Sequence, residues 1–162
     1  MSIGLGESLS LRSRMVSALL RPNKLLYRIF RPSPKSIRRF IHPQAWLASK
    51  LSPSFGIRIE SKTFGGVPGI SFVPKNLHNS KTVIVYLHGG GYCFGSSLTT
   101  HRIGLRNLAK VTGSICHSID YRLAPENPYP AALDDALAAW LEIAETHRES
   151  TLILSGDSAG GG

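Results

Sequence analysis

Cysteines and long apolar runs are scarce in this chain, and so are acidic side chains over its first fifty residues. The 162 residues include two cysteines, Cys93 and Cys116, which are too few for a disulfide framework and lack the spacing of a metal-binding knuckle. No apolar run approaches the ~20 residues that a membrane-spanning helix requires. We therefore expect neither a disulfide-stabilised secreted domain, a metal site nor a transmembrane segment, and we expect a cytoplasmic location.

The net charge of +9 lies in residues 1–50, which hold ten Lys and Arg against the single Glu7. The remainder of the chain has as many bases as acids, so a nucleic-acid-binding domain is not expected. Three interpretations of the basic segment stay open: a solvated, partly helical arm, a segment that contacts a membrane surface or another anionic partner, and an organelle transit peptide. Its composition favours the arm.

The pattern of the sequence changes near residue 56, which suggests two parts. Residues 1–55 form a basic, partly helical segment in which apolar residues recur at helical intervals. Residues 56–162 read as alternating strands and helices. Proline interrupts the first part four times, so we expect it to fold as short helical pieces broken at Pro22, Pro32, Pro34 and Pro43.

Five apolar segments of the second part are predicted strands: GIRIESKTF, PGISFVP, TVIVYLH, SICHSIDY and TLILS. Residues 98–111 and 130–147 have helical spacing. Strands that alternate with helices predict an α/β fold with a mostly parallel sheet covered on both faces. In such sheets, ligand chemistry sits at the carboxyl ends of the strands.

The last predicted strand runs into Gly156-Asp157-Ser158-Ala159-Gly160, which has the spacing of a nucleophile elbow. In such a turn the backbone is so tight that side chains beside the serine would collide, so glycines flank it. The serine hydroxyl is then lifted clear of the sheet. Taken alone, the pattern is also compatible with a flexible glycine turn.

A second glycine loop, His88-Gly89-Gly90-Gly91-Tyr92, follows the strand TVIVYLH. Consecutive glycines let backbone N–H groups approach a substrate, and such groups stabilise the oxyanion that forms when a carbonyl is attacked. A phosphate-binding loop is the alternative, but neither a Gly-Lys-Ser/Thr ending nor a G-x-G-x-x-G spacing is present. The two loops together predict acyl transfer.

Three runs, YLHGGGYCFGS, DYRLAPENPYPAALDDALAAW and GDSAGGG, resemble the hormone-sensitive-lipase family of α/β-hydrolases over residues 57–162. The resemblance implies an α/β-hydrolase fold and hydrolysis of carboxylic esters, usually with short to medium acyl chains, without metal or cofactor. It also implies that residues 1–55 form part of the family's helical lid or cap. It implies that Ser158 is the nucleophile and that His88 has a structural role. It assigns the oxyanion hole to the amides of Gly90, Gly91 and Ala159, and motif-shaping roles to Gly89, Gly156, Asp157 and Gly160.

The family's remaining catalytic residues are not found, because its acid and base follow the serine in chain order. All six histidines precede Ser158 (His42, His78, His88, His101, His117 and His147). We therefore expect a truncated hydrolase that is inactive alone, with TLILS left as an unpaired apolar edge. The alternative is a non-catalytic binding protein on the same scaffold, as the resemblance of plant gibberellin receptors to this family illustrates.

The second of the three runs, DYRLAPENPYPAALDDALAAW, is called the middle motif, and it contains several polar residues that could resemble an acid–base site. Asp120, Tyr121, Arg122 and Glu126 are expected to form a buried ion-pair network that shapes a loop rather than an acid–base site. Asp134 and Asp135, near the start of a helix, are expected to be structural. Beside the glycine loop, Cys93 is a predicted packing residue, while Tyr92 and Phe94 are predicted to line the substrate pocket.

Overall fold

The architecture is given by a computed structural model, which describes residues 33–52, 55–79 and 81–162. Helix α1 (Pro34–Leu51) precedes strands β1 (Ile57–Phe64), β2 (Val67–Pro74) and β3 (Thr82–Leu87). Helix α2 (Arg102–Thr112), strand β4 (Ile115–Ile119), helix α3 (Ala131–Thr146) and strand β5 (Thr151–Gly156) follow, and the short 3-10 turn Ser158–Gly161 comes last.

The strands form one sheet in the order β1-β2-β4-β3-β5. Strands β4, β3 and β5 are parallel, as the alternation of strands and helices predicts. The hairpin of β1 and β2, which turns at Gly65 and Gly66, adds two antiparallel pairings and makes the sheet mixed. The predicted α/β class is confirmed, and all five predicted strands are present.

Helices cover both faces of the sheet, and the interior strand β3 shows why. Alternate residues of a strand point to opposite faces. Val83 and Val85 pack in the core beneath α3, which includes Ala139 and Ile143. Ile84 packs in a second core on the other face, beneath α2. Each such buried side chain stabilises the fold by about 1.5–3 kcal/mol relative to exposure, so the apolar run TVIVYL specifies a strand buried on both faces.

Helix α1 departs from the prediction of short pieces, because its 18 residues continue through Pro43. Proline in a helix removes one backbone donor and crowds the preceding turn, so contacts elsewhere must offset that cost. One side of α1 is packed: Ser49 is buried, and Arg38 hydrogen-bonds to loops of the sheet domain. The helix belongs to the compact unit Pro34–Gly162. Pro22 and Pro32 lie outside the described residues.

Strand β5 forms one edge of the sheet. It pairs with β3 alone within the described part of the chain. Ile153 and Leu154 are exposed on it, so the apolar edge expected from TLILS is present.

Candidate active site

The two glycine loops begin side by side at the carboxyl edge of the sheet. Strands β3 and β5 are parallel neighbours, and Leu87, the last residue of β3, pairs with Gly156, the last residue of β5. The loop that starts at His88 and the elbow that contains Ser158 therefore leave adjacent strand ends in the same direction.

Ser158 sits on a strained turn. Its φ is +50°, in the left-handed region that non-glycine residues seldom occupy. A Cβ added to Gly156 would lie 2.0 Å from the carbonyl oxygen of Gly160, and one added to Gly160 would lie 2.0 Å from the carbonyl oxygen of Leu87. The backbone leaves no room for a side chain at either position, while Ser158 itself is exposed. This geometry is that of a nucleophile elbow.

Asp157 joins the elbow to the glycine loop. Its carboxylate accepts hydrogen bonds from the backbone N–H of Gly89 at 2.8 Å and from the hydroxyl of Tyr86 at 3.0 Å. The ring Nε2 of His101 lies 3.1 Å from the same carboxylate oxygen. Burial alone would raise the pKa of Asp157, but the hydrogen bonds from these three groups lower it below its usual range. The carboxylate is thus an ionised acceptor that fixes one loop against the other.

His101 is a part of this arrangement that the sequence interpretation missed. It occupies the N-cap position of α2, but its side chain makes no capping hydrogen bond. Instead, its Nδ1 is 2.7 Å from the hydroxyl oxygen of Thr100. The opposite ring nitrogen faces Asp157, and a carboxylate can only accept, so Nε2 carries the hydrogen. The sequence feature that could have indicated this role is a histidine immediately before a helix, in the loop that follows HGGG. Its partner lies 56 residues away in the chain.

His88 has the contacts of a structural residue. It is buried, its Nδ1 donates to the carbonyl of Gly89 at 2.9 Å, and its ring stacks on Tyr121 with centroids 4.3 Å apart. The hydroxyl of Tyr121 donates in turn to the carbonyl of His88. Burial lowers the pKa of His88, so the ring is neutral near pH 7. It steadies the start of the glycine loop.

Beyond Gly89 the loop turns sharply. The N–H groups of Cys93 and Phe94 both donate to the carbonyl of Gly90, at 3.0 and 3.1 Å. Gly90 and Gly91, the residues assigned to the oxyanion hole by resemblance, both have positive φ. The third assigned residue, Ala159, follows Ser158 directly. Gly90 and Gly91 follow Gly89 in the chain, and Ala159 comes two residues after Asp157. All three are therefore close in sequence to the hydrogen bond between Gly89 and Asp157.

A cavity of about 510 Å³ opens beside the elbow. Ala159 and Gly160 form one wall, and Leu87, Tyr92 and Leu133 are among the mostly apolar side chains of the others. The predicted lining role of Tyr92 agrees with this, whereas Phe94 is not among the lining residues. An apolar cavity next to an exposed serine suits the acyl or alcohol part of an ester.

The three charged residues expected to form one buried ion-pair network, Asp120, Arg122 and Glu126, instead have three separate partners, so that expectation is wrong. Arg122 pairs with Asp135 at 2.7 Å, and half of its side chain is exposed. Glu126 pairs with Arg38 of α1 at 2.9 Å. Asp120 instead accepts hydrogen bonds from the N–H and hydroxyl of Ser97. Each carboxylate meets its partner through tertiary contacts that the local sequence does not encode.

Asp135 is structural, as expected. Its buried carboxylate also accepts from the backbone N–H of Arg122 at 2.8 Å. It therefore fastens the loop that precedes α3 to the first turn of that helix.

The hydroxyl of Ser158 has no histidine partner among the described residues. Histidine side chains of the described residues hydrogen-bond to other groups: His88 to Gly89, His101 to Thr100 and Asp157, and His78 to Asn76. His117 and His147 contact each other, with Nε2 atoms 3.3 Å apart, and Nδ1 of His117 lies 2.8 Å from the hydroxyl of Ser71. The described residues therefore bring no histidine to the hydroxyl of Ser158.

No cluster of three or more metal-ligating side chains occurs in residues 33–52, 55–79 and 81–162. Over the same residues, no helix combines the length and hydropathy that spanning a bilayer demands.

Comparison with known proteins identifies proteins that are similar to this chain. The sequence profile of a family described as "alpha/beta hydrolase fold" matches residues 84–162. Carboxylesterase NlhH of Mycobacterium tuberculosis is 40% identical over 115 residues, which cover 65% of this chain and 36% of that protein. Probable carboxylesterase 6 of Arabidopsis thaliana is 40% identical over 90 residues, covering 49% and 26%.

A solved structure of an esterase from the bacterial hormone-sensitive lipase family superimposes with a TM-score of 0.67 at 34% identity. The match covers 80% of this chain and 42% of that one. The chain therefore spans about two fifths or less of these relatives. Because they are described as esterases, the comparison does not favour the alternative of a non-catalytic binding protein.

Proposed function

The chain belongs to the hormone-sensitive-lipase family of α/β-hydrolases, and from this premise we propose that it acts as a carboxylic-ester hydrolase through an acyl-enzyme on Ser158. The observation that carries the proposal is the hydrogen bond between Gly89 and Asp157, because it fastens the serine turn to the glycine loop. Since the chain spans only part of its relatives, the activity and substrates of the whole protein belong to the proposal.

In the proposed mechanism, the hydroxyl of Ser158 attacks the ester carbonyl. The amides of Gly90, Gly91 and Ala159 stabilise the resulting oxyanion, and loss of one such donor typically costs about 3–4 kcal/mol of transition-state stabilisation. Collapse of the tetrahedral intermediate expels the alcohol and leaves the acyl group on the serine oxygen. Water then attacks the acyl-enzyme and releases the acid. The chemistry calls for no cofactor.

The serine needs a general base, which needs an orienting acid. Because no histidine of the described residues hydrogen-bonds to Ser158, we propose that neither the base nor its acid comes from these 162 residues. His88 and His101 are proposed to position the loops rather than to move the serine proton.

The remaining parts of the proposal concern the cellular compartment, the role of residues 1–55 and the substrate. The free thiols of Cys93 and Cys116 support a reducing compartment such as the cytoplasm. Residues 1–55 are proposed to form a lid over the hydrolase part, with basic side chains that favour an anionic surface. The substrate is a small ester, and nucleic acid is not a proposed partner.

Chemical rescue tests the proposal. Imidazole in solution can replace a missing base, and a positioned base is worth about 10²–10⁴-fold in rate. The chain is incubated with p-nitrophenyl butyrate, with and without imidazole, beside the Ser158→Ala variant. We expect no turnover above the variant without imidazole, and an imidazole-dependent butyryl group on Ser158 by peptide mass spectrometry. Acylation elsewhere, or equal acylation of both proteins, would overturn the assignment.

A further inference from the structure

Helix α1 has a packed side and an opposite side that is apolar and open to solvent. Arg38, Ala45 and Ser49, spaced at helical intervals, lie on the packed side. Phe40, Leu47 and Leu51 are seven and four residues apart, so they share the opposite side. We call these three residues the α1 apolar stripe. Phe40 is 74% exposed and Leu51 75%.

The stripe lies on a helix that carries only positive charge. Lys35, Arg38, Arg39 and Lys50 are its ionisable lysines and arginines, and the helix contains no acidic residue. The ammonium of Lys50 also lies over the ring of Trp46, at 5.7 Å from its centroid. Exposed apolar residues with a tryptophan and flanking bases are typical of helices that lie in the interface of an anionic membrane.

A second exposed stripe, on α3, shows why charge decides the partner. Leu137 and Leu141 are 55% and 59% exposed, close to the 53% of Leu47 in the α1 apolar stripe. Helix α3 holds four acidic residues and no basic one. An anionic surface therefore attracts α1 and repels α3.

Helix α1 is fastened to the candidate active site. Nε of Arg38 donates to the carbonyl of Cys93, and its Nη2 donates to the carbonyl of Ala124, both at 2.5 Å. Cys93 follows Tyr92, which lines the cavity beside the elbow. Beyond the other end of the helix, Arg106 of α2 donates to the hydroxyl of Ser52 at 2.7 Å. Contacts at both ends hold the helix in one orientation.

We propose that the α1 apolar stripe docks on an anionic lipid surface and holds the candidate active site beside it. The stripe enters the headgroup region, and Lys35, Arg39 and Lys50 contact lipid phosphates. The consequence for substrate, which rests on the proposed esterase function, is that the esters are those dissolved in or bound to lipid rather than freely soluble ones.

Vesicle binding tests this without any turnover. The chain carrying Trp140→Phe keeps Trp46 as its single tryptophan. It is mixed with vesicles of phosphatidylcholine, or of phosphatidylcholine with 30 mol% phosphatidylserine (a standard anionic fraction, on the order of natural inner leaflets). We expect a blue shift of Trp46 fluorescence and co-sedimentation with the anionic vesicles only, reduced by added salt.

Paired variants identify the surface. Leu47→Ser with Leu51→Ser is compared with Leu137→Ser and Leu141→Ser on α3, and circular dichroism checks that each pair is folded. The α1 pair should lower vesicle binding about tenfold, while the α3 pair leaves it unchanged. Arg39→Gln and Lys50→Gln should each lower it about fivefold.

Three results would overturn the proposal. One is the absence of any vesicle-dependent fluorescence shift. Another is an equal loss of binding in the α1 and α3 pairs. The third is concentration-dependent self-association that the α1 pair abolishes, without vesicle binding, which would identify a second copy of the chain as the partner. The outcome of the imidazole experiment affects none of these readouts, so the failure of one proposal is distinct from the failure of the other.

Discussion

The carboxylate of Asp157 accepts a hydrogen bond from the backbone N–H of Gly89 at 2.8 Å, across 68 positions of the chain. A Cβ on Gly89 would lie 2.2 Å from the other carboxylate oxygen, so the two residues touch with no space for a side chain between them. The residue before the serine and the loop assigned to the oxyanion hole therefore behave as one rigid piece.

Removing the carboxylate of Asp157 should impair acylation more than it impairs folding. Asp157→Ala frees the N–H of Gly89 and lets the glycine loop shift, and displacements near 1 Å cost up to about 100-fold in rate. We expect imidazole-supported acylation of Ser158 to slow about ten- to hundred-fold. The control is Asp157→Asn, whose amide oxygen still accepts from Gly89 and which should retain most of the rate. Equal loss in both variants would show that charge, rather than the bond to Gly89, is what matters.

Gly160→Ala should destabilise the elbow. The new Cβ would meet the carbonyl of Leu87 at 2.0 Å, and that oxygen belongs to the end of the interior strand β3. Overpacking of this kind typically costs about 1–3 kcal/mol. Urea denaturation measures the loss. Gly161→Ala is the matched control, because its Cβ would lie 3.7 Å from the nearest atom and should leave the free energy of unfolding unchanged.

Two neighbouring aspartates of α3 should respond differently to mutation. Asp135 is buried and accepts from the N–H and guanidinium of Arg122, whereas Asp134 is exposed. Asp135→Ala should lower the free energy of unfolding by about 1–2 kcal/mol, since it removes hydrogen bonds to a charged acceptor. Asp134→Ala should change it by less than about 0.5 kcal/mol. Thermal and urea unfolding of both variants provide the comparison, and similar losses would contradict the structural role of Asp135.

Stability should fall as the pH drops from about 6.5 to about 4. Burial, with the charges of His147 and Lys62, lowers the pKa of His117 to about 4, and burial also lowers the pKa of His147. Below the usual histidine pKa the unfolded chain binds protons that the folded chain does not, so acid favours unfolding.

The effect should reach about 3 kcal/mol at most. His117→Gln keeps a polar partner for the hydroxyl of Ser71, which lies 2.8 Å from Nδ1 of His117, but does not titrate. Its stability should therefore depend less on pH over this range. Parallel curves for wild type and variant would contradict the assignment to His117.

The sheet and the two glycine loops were predictable because their signals are local. Alternating or continuous apolar residues set β1 to β5, and Gly156 and Gly160 mark a turn with no space for Cβ. The two central helices were visible for the same reason: their periodicity is contained in a single run.

What the sequence did not reveal depends on partners far along the chain. Arg38 reaches Ala124 across 86 positions, and this contact helps to hold α1 together despite Pro43. His101 and Tyr86 meet on Asp157, although no pattern in their own segments links them. The charged residues of the middle motif are close in sequence, which suggests one network. In the folded protein each of them contacts a different segment of the chain.

Gly156 and Gly160 lie against the carbonyl of Leu87, the last residue of β3. The backbone at the end of β3 therefore determines where the hydroxyl of Ser158 lies. A substitution far from this strand end can alter the surroundings of the hydroxyl without displacing it.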